Sequence, residues 1–315
     1  MQPYDDAGMS SIAPSGTQWE IQHGQQRAVV VEVGGGLREY TLDGAPVLDG
    51  YPVDRMADGG RGQPLLPWPN RLADGQYTFN RQAHQVPIDE IARNNAMHGL
   101  TRWLNWRLVT KTGSSVRVEH VVHPRSGYPF ALAVTIEYTL TGLGLTVRTQ
   151  AHNLGTSPLP FGAGQHPYFS VDTPLVDSAT LQLPVRGHVE LDPDRLLPTG
   201  DVRPTAATPL DYTTPRPIGS AILDDCFTDL IRDADGRARA RLVDPSTGHA
   251  VIVWVGQGYS YLQVFTGDTL APERRRQGLA IEPMTCPPNA FRTGTDLIVL
   301  QPDESVELEW GASRA

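Results

Sequence analysis

The chain has 315 residues, enough for one large β domain or two ordinary domains. It carries 26 basic and 35 acidic residues, a net charge of -9, with no basic patch, which argues against binding a nucleic-acid backbone. No stretch approaches the roughly 18 consecutive apolar residues of a membrane-spanning helix, and the two cysteines, Cys226 and Cys286, show neither metal-ligand spacing nor a disulfide framework.

The first 16 residues, MQPYDDAGMSSIAPSG, are polar and acidic and lack the pattern of a signal peptide. They read as a disordered leader before a single domain over 17–315, and the cytoplasm is the expected compartment. Gly34–Gly36 reads as a turn, because no strand-to-helix context makes it a phosphate loop. In PLLPWPNRLADG (64–75), a proline-stiffened turn presents Asn70 and Arg71, and rigid turns are where binding residues are commonly held. In NNAMHGL (94–100), His98 precedes a glycine, so its backbone can approach a ligand closely.

Strand signals follow. Val116–Val122 alternates, and Thr135–Leu140 and Leu145–His152 flank the turn TGLG as a hairpin. FGAGQHPYFSV (161–171) sets His166 between a Gly-containing turn and an apolar aromatic segment; the residue is either a core histidine or an acid or base aimed into a pocket. Pro204–Pro217 reads as a long surface loop. LDDCFTDL (223–230) offers the adjacent acids Asp224 and Asp225. Ala240–Val243 and Ala250–Val255 form a second hairpin around DPSTGH, and Arg274–Arg276 reads as a solvated loop. In LAIEPMTCPPNAF (279–291), Glu282 stands in an apolar strand end, where a carboxylate is either paired or desolvated toward the pKa of a general base. Val306–Trp310 is a last alternating strand.

Helical periodicity is nearly absent and no linker divides the chain, so the expected fold is all-β, one large antiparallel β-sandwich. The histidines lack HxH or HExxH spacing, so no metal is expected, and no G-x-S-x-G elbow supplies a serine nucleophile.

Taken in series, Asn70-Arg71, His98-Gly99, His166-x-Tyr168-Phe169, Asp224-x-x-Phe227 and Glu282-Pro283 resemble the aldose 1-epimerase (galactose mutarotase) family. The resemblance implies a single supersandwich domain with an open cleft, no cofactor, and a small-molecule sugar as partner. It implies Glu282 as general base, His166 as general acid, and Arg71, His98, Asp224 and Asn70 as sugar-binding residues. Trp68, Tyr168, Phe265 and Phe291 are candidate apolar walls. The chain departs from the family pattern at Gln165 (usually Asn), at Ser170-Val171 (often Asn-Leu), at Asp225 (usually His) and at Met284 (often Gln). The implied activity is interconversion of the α and β anomers of a free hexose such as galactose or glucose. The alternatives are a sugar-binding protein on the same scaffold and a β-sandwich polysaccharide-degrading enzyme. Nucleic-acid and membrane partners are not expected, and monomer and homodimer both stay open.

Overall fold

A computed structural model describes residues 12–315, and its fold is the expected all-β antiparallel sandwich. One sheet has nine strands, in the order Arg107–Lys111, Ser115–Val122, Leu132–Thr141, Gly144–Asn153, Ser305–Arg314, Ala250–Val255, Ala238–Val243, Thr180–Gln182 and Arg216–Pro217. A second large sheet has eight. Its path runs Pro198–Pro204, Val185–Leu191, Asp224–Leu230, Tyr261–Phe265, Leu279–Met284, Gly164–Gln165 and Pro64–Leu65, with Tyr168–Phe169 also paired to Leu279–Met284.

The period-two pattern explains the first sheet. Along Leu132–Thr141, Leu132, Val134, Ile136, Tyr138 and Leu140 are buried while the residues between them are half-buried. The strand pairs with Gly144–Asn153 down to Thr141 opposite Gly144, so the expected hairpin forms and runs three residues further at its start. The inward residues meet Phe169, Phe227, Leu262 and Ile281 from the second sheet in one core. Burying each such side chain is worth about 1.5–3 kcal/mol.

The central strands of the second sheet behave differently. Leu279–Met284 is buried at every position. Leu279 and Ile281 face the sandwich core, so Ala280, Glu282 and Met284 face the opposite side, which loops cover. Gln165 ties the two sheets together. Its amide donates to the Tyr138 hydroxyl (3.1 Å), and its carbonyl accepts from Trp310 Nε1 (3.1 Å).

Three expectations change. Residues 1–11 of the expected leader lie outside the described residues, but residues 13–16 form a turn in which Ser15 is buried and accepts from Val33 N–H. The stretch 204–217 is more than a surface loop: Thr205 and Tyr212 are buried, and Arg216–Pro217 adds an edge strand to the nine-stranded sheet. In the triplet Arg274–Arg276, only Arg275 is exposed, because Arg274 pairs with Asp49 (3.0 Å) and Arg276 with Asp177 (2.7 Å) and Asp268 (2.8 Å). Among the described residues the α-helical content is one turn, Ala290–Thr293. Among the described residues no helix is long and apolar enough to cross a membrane.

Candidate functional site

The loop-covered face of the second sheet carries a row of polar groups. Gln263 pairs with Glu282 across one ladder and with Cys226 across the other, while Asp224 sits opposite Phe265. Residues two apart share a face, so Asp224, Gln263 and Glu282 line one side of three adjacent strands. They open into a cavity of about 400 Å³, together with Asn70, Arg71, Glu90, His98, Arg102 and His166. All six residues singled out as a site thus line one cavity. Asp225 points the other way and pairs with His188 Nε2 at 2.8 Å.

His166 reaches the cavity from the short link between Gly164–Gln165 and Tyr168–Phe169. Its backbone is held at both ends: its N–H donates to Gln63 O (3.0 Å), and its carbonyl accepts from Gly62 N–H (2.8 Å). Its Nε2 lies 3.3 Å from Glu282 Oε1, and both side chains are almost fully buried. His166 Nδ1 and Glu282 Oε2 have no protein hydrogen-bond partner among the described residues. Burial pushes the Glu282 carboxyl well above the ordinary range, and the Asp224 charge adds to this against the pull of Arg71. Burial pulls the His166 imidazole down, helped by the Arg61 and Arg102 cations. Both directions favour the uncharged forms, a protonated Glu282 carboxyl and a neutral His166 imidazole. Carboxylate plus imidazolium is the same pair with that proton moved along the 3.3 Å line.

His98 is fixed by a backbone exchange. Its N–H donates to Asn70 O (2.9 Å), and Asn70 N–H donates to His98 Nδ1 (3.1 Å). An accepting Nδ1 places the neutral ring's proton on Nε2, and burial with the neighbouring Arg102, His166 and Arg71 keeps this ring neutral. His98 is therefore a donor. Asn70 spends its Oδ1 on Arg71 N–H (2.8 Å).

One reading needs correction. The glycine after His98 serves a backbone rather than a ligand: a Cβ on Gly99 (φ +74°) would stand 1.9 Å from Leu66 O. Gly99→Ala is expected to lower stability by roughly 2–6 kcal/mol, from left-handed strain plus overpacking. Urea unfolding measures this, and an unchanged midpoint would show that the contact relaxes freely. Arg71 is itself held by two carboxylates. Its Nε and Nη2 bond Glu90 (3.1–3.2 Å), and Nη2 lies 3.5 Å from Asp224 Oδ2, which leaves Nη1 as the end without a partner among the described residues. Of the proposed walls, Tyr168 and Phe265 line the cavity, whereas Trp68 and Phe291 pack on each other in the core (5.2 Å).

Among the lining residues that escaped the sequence reading are Glu90, Gln263, Arg102 and Trp103. Gln263 carried a signal, a lone amide between Tyr261 and Phe265 on the same face of an apolar strand. Its amide donates to Asp224 Oδ1 at 2.7 Å. Glu90 carried none, since its role depends on Arg71, 19 residues away in the chain. Trp103 stands 55% exposed at the rim beside Arg102, which Asp89 holds at 3.0 Å.

The sequence matches the aldose 1-epimerase family model over residues 17–312. It is 34% identical to the uncharacterized protein YihR of Escherichia coli, covering 91% of this chain and 90% of that one. It is 27% identical to the galactose mutarotase of Sus scrofa, covering 81% and 72%. A solved structure of a GalM/aldose epimerase homologue from C. elegans has the same fold, with a TM-score of 0.83, 18% identity, and coverage of 94% of this chain and 98% of that one.

Proposed function

The chain belongs to the aldose 1-epimerase family, and on that premise we propose that it interconverts the α and β anomers of a free hexose such as galactose or glucose. The observation that carries this reading is the buried pair, His166 Nε2 and Glu282 Oε1, 3.3 Å apart in the wall of a sugar-sized cavity. The reaction needs two proton movements at two oxygens on one carbon. A base takes the C1 hydroxyl proton, and an acid protonates the ring oxygen as the C1–O5 bond breaks. The aldehyde rotates about C1–C2 and closes on its other face, with the two roles exchanged. No electrons are transferred to or from the sugar, and no covalent intermediate is needed.

In this reading Glu282 is the base and His166 the acid. The resting pair keeps the proton on Glu282 because burial disfavours separated charge. Sugar hydroxyls bonding the carboxylate and imidazolium offset that cost and bring out the reactive charge state. His98 Nε2–H, Arg71 Nη1 and Asp224 are the groups we assign to the sugar hydroxyls, with Asn70 shaping the turn between them. A polysaccharide-degrading site would use a second carboxylate across the reacting carbon; the one in this row, Asp224, is held by Gln263 (2.7 Å) and Arg71 (3.5 Å), and it is His166 that stands 3.3 Å from Glu282. Both thiols are free and buried, which agrees with a reducing compartment, and the cytoplasm is the proposed location.

Polarimetry of freshly dissolved α-galactose and α-glucose, with chelator present, tests the proposal. The expected result is equilibration faster than the spontaneous rate. Sugar binding without any acceleration, across a panel of aldoses, would move the protein to the sugar-binding alternative.

A further inference from the structure

His166 is backed by an assembly that the sequence reading did not notice. The turn Asp58–Gln63 reads DGGRGQ, and it packs along the segment 166–168. Besides the two backbone bonds to His166, Gly59 O accepts from the Tyr168 hydroxyl (2.9 Å) and Asp49 N–H donates to Tyr168 O (2.9 Å). Gly60, at φ +75°, lies so close that a Cβ would stand 2.8 Å from His166 Cδ2. The Tyr168 ring stacks on the His166 ring, with centroids 4.9 Å apart and planes 11° apart. On Tyr168 lies the Arg61 guanidinium, 4.0 Å from the ring centroid.

Arg61 is an unusual residue to find there. Its side chain is 2% exposed, and it is held by Asp49 (2.7 Å) and Asp58 (3.0 Å). A buried cation is costly unless it is fully paired, and this one is paired so that its plane is fixed over an aromatic face. Guanidinium on aromatic faces is a favourable contact, stronger when shielded from water. The stack is held as a unit by the turn and Asp49: Arg61 by Asp58 and Asp49, Tyr168 by Gly59 O, His166 by Gly62 N–H and Gln63 O.

We infer that Arg61 is a positioning residue for His166, acting through Tyr168 to fix the plane of the imidazole against Glu282. This rests on the acid role given to His166 above. The imidazole must present Nε2 to a substrate oxygen on the same side as Glu282, and the stack removes its freedom to swing out of that plane. The cation also biases the pair electrostatically. The charged or titratable groups facing His166 are Arg61 and Asp58 from the turn, His98 and Arg102 from the loop opposite, Tyr168 in the stack and Glu282 on the next strand. Arg61 and Arg102 oppose a positive imidazole, and Asp58 favours it.

The test compares Arg61→Gln, Arg61→Lys and two changes at Tyr168. Arg61→Gln should lower kcat by about 10- to 100-fold while KM moves little, as for a misplaced catalytic group. It should also move the pH profile of kcat/KM to higher pH, because the removed cation no longer opposes protonation of the pair. Arg61→Lys keeps the charge, so its profile should stay where the wild type's lies. Tyr168→Phe keeps the ring but loses the Gly59 anchor, so it should lose less kcat than Tyr168→Leu, which removes the stack. A folded Arg61→Gln protein with wild-type kcat and an unmoved profile overturns the inference. If that variant does not fold, wild-type kcat in Tyr168→Leu overturns it instead. NMR titration of the His166 ring protons separates this failure from failure of the proposed reaction. An upward shift in Arg61→Gln but not in Arg61→Lys supports the role of Arg61 even if no aldose is turned over, and an identical titration in both rejects it.

Discussion

Glu282→Gln is expected to reduce kcat for mutarotation by about 10²–10⁴-fold, and His166→Asn by a similar factor, the usual worth of a positioned proton-transfer group. The geometry gives the reason. With Nε2 and Oε1 only 3.3 Å apart, both groups address the two oxygens of a single carbon, and each is used in either direction of the reaction. Gln keeps the size of Glu282 and its place beside Gln263 but cannot take a proton. Asn keeps a polar group near the His166 position but cannot give one at neutral pH. Sugar affinity should fall less than kcat, because His98, Arg71 and Asp224 remain. The double mutant should be little worse than the worse single mutant, since the two groups act as a unit. Spontaneous-rate-corrected polarimetry with α-galactose and α-glucose reads all three proteins. Near-wild-type kcat in a folded Glu282→Gln protein would falsify the mechanism.

The all-β class was legible because period-two alternation survives in single segments. Leu132–Thr141 alternates at every residue, and its partner Gly144–Asn153 lies just across a four-residue turn motif, so the hairpin needs no distant information. The carboxylate at 282 stood out for the same local reason, a charge inside an apolar strand. What local pattern could not supply was which residues pair across distance. The row Asp224, Gln263, Glu282 exists only through the ladders joining three strands far apart in the chain. Arg71 was seen, but not that Glu90 occupies its fork. Trp68 and Phe291 looked as suitable for a wall as Tyr168 and Phe265, because an aromatic beside a motif does not reveal which face it takes. The glycines at 59, 60 and 62 carry no local signal, since their tight fit against His166, Tyr168 and Leu37 appears only when those segments are brought together.

The adjacent acids at 224 and 225 offer the sharpest check on that strand register. A slip of one residue exchanges the faces of a strand, so the two side chains have opposite fates. Asp224 lines the cavity, accepts from Gln263 at 2.7 Å and lies 3.5 Å from Arg71 Nη2. Asp225 pairs with His188 at 2.8 Å, away from the cavity. Asp224→Asn should therefore lower kcat/KM by roughly 10- to 100-fold, since a hydrogen bond to a charged group is worth about 1.5–3 kcal/mol. Asp225→Asn should change it by less than about 3-fold, as for groups that do not touch the reacting pair. The pH dependence gives a second reading with a definite sign. The Asp224 charge helps to hold the Glu282 proton on, and Arg71 opposes it. Removing that negative charge makes the Glu282–His166 pair give up its proton more readily, so the bell-shaped profile of kcat/KM should move to lower pH. That is the direction opposite to the one expected for Arg61→Gln, where a cation is lost. Asp225→Asn should leave the bell in place. The three profiles are measured on the same sugar at constant ionic strength. A larger loss in Asp225→Asn, or an upward shift in Asp224→Asn, would show that Asp224 does not stand beside Glu282 in the working enzyme.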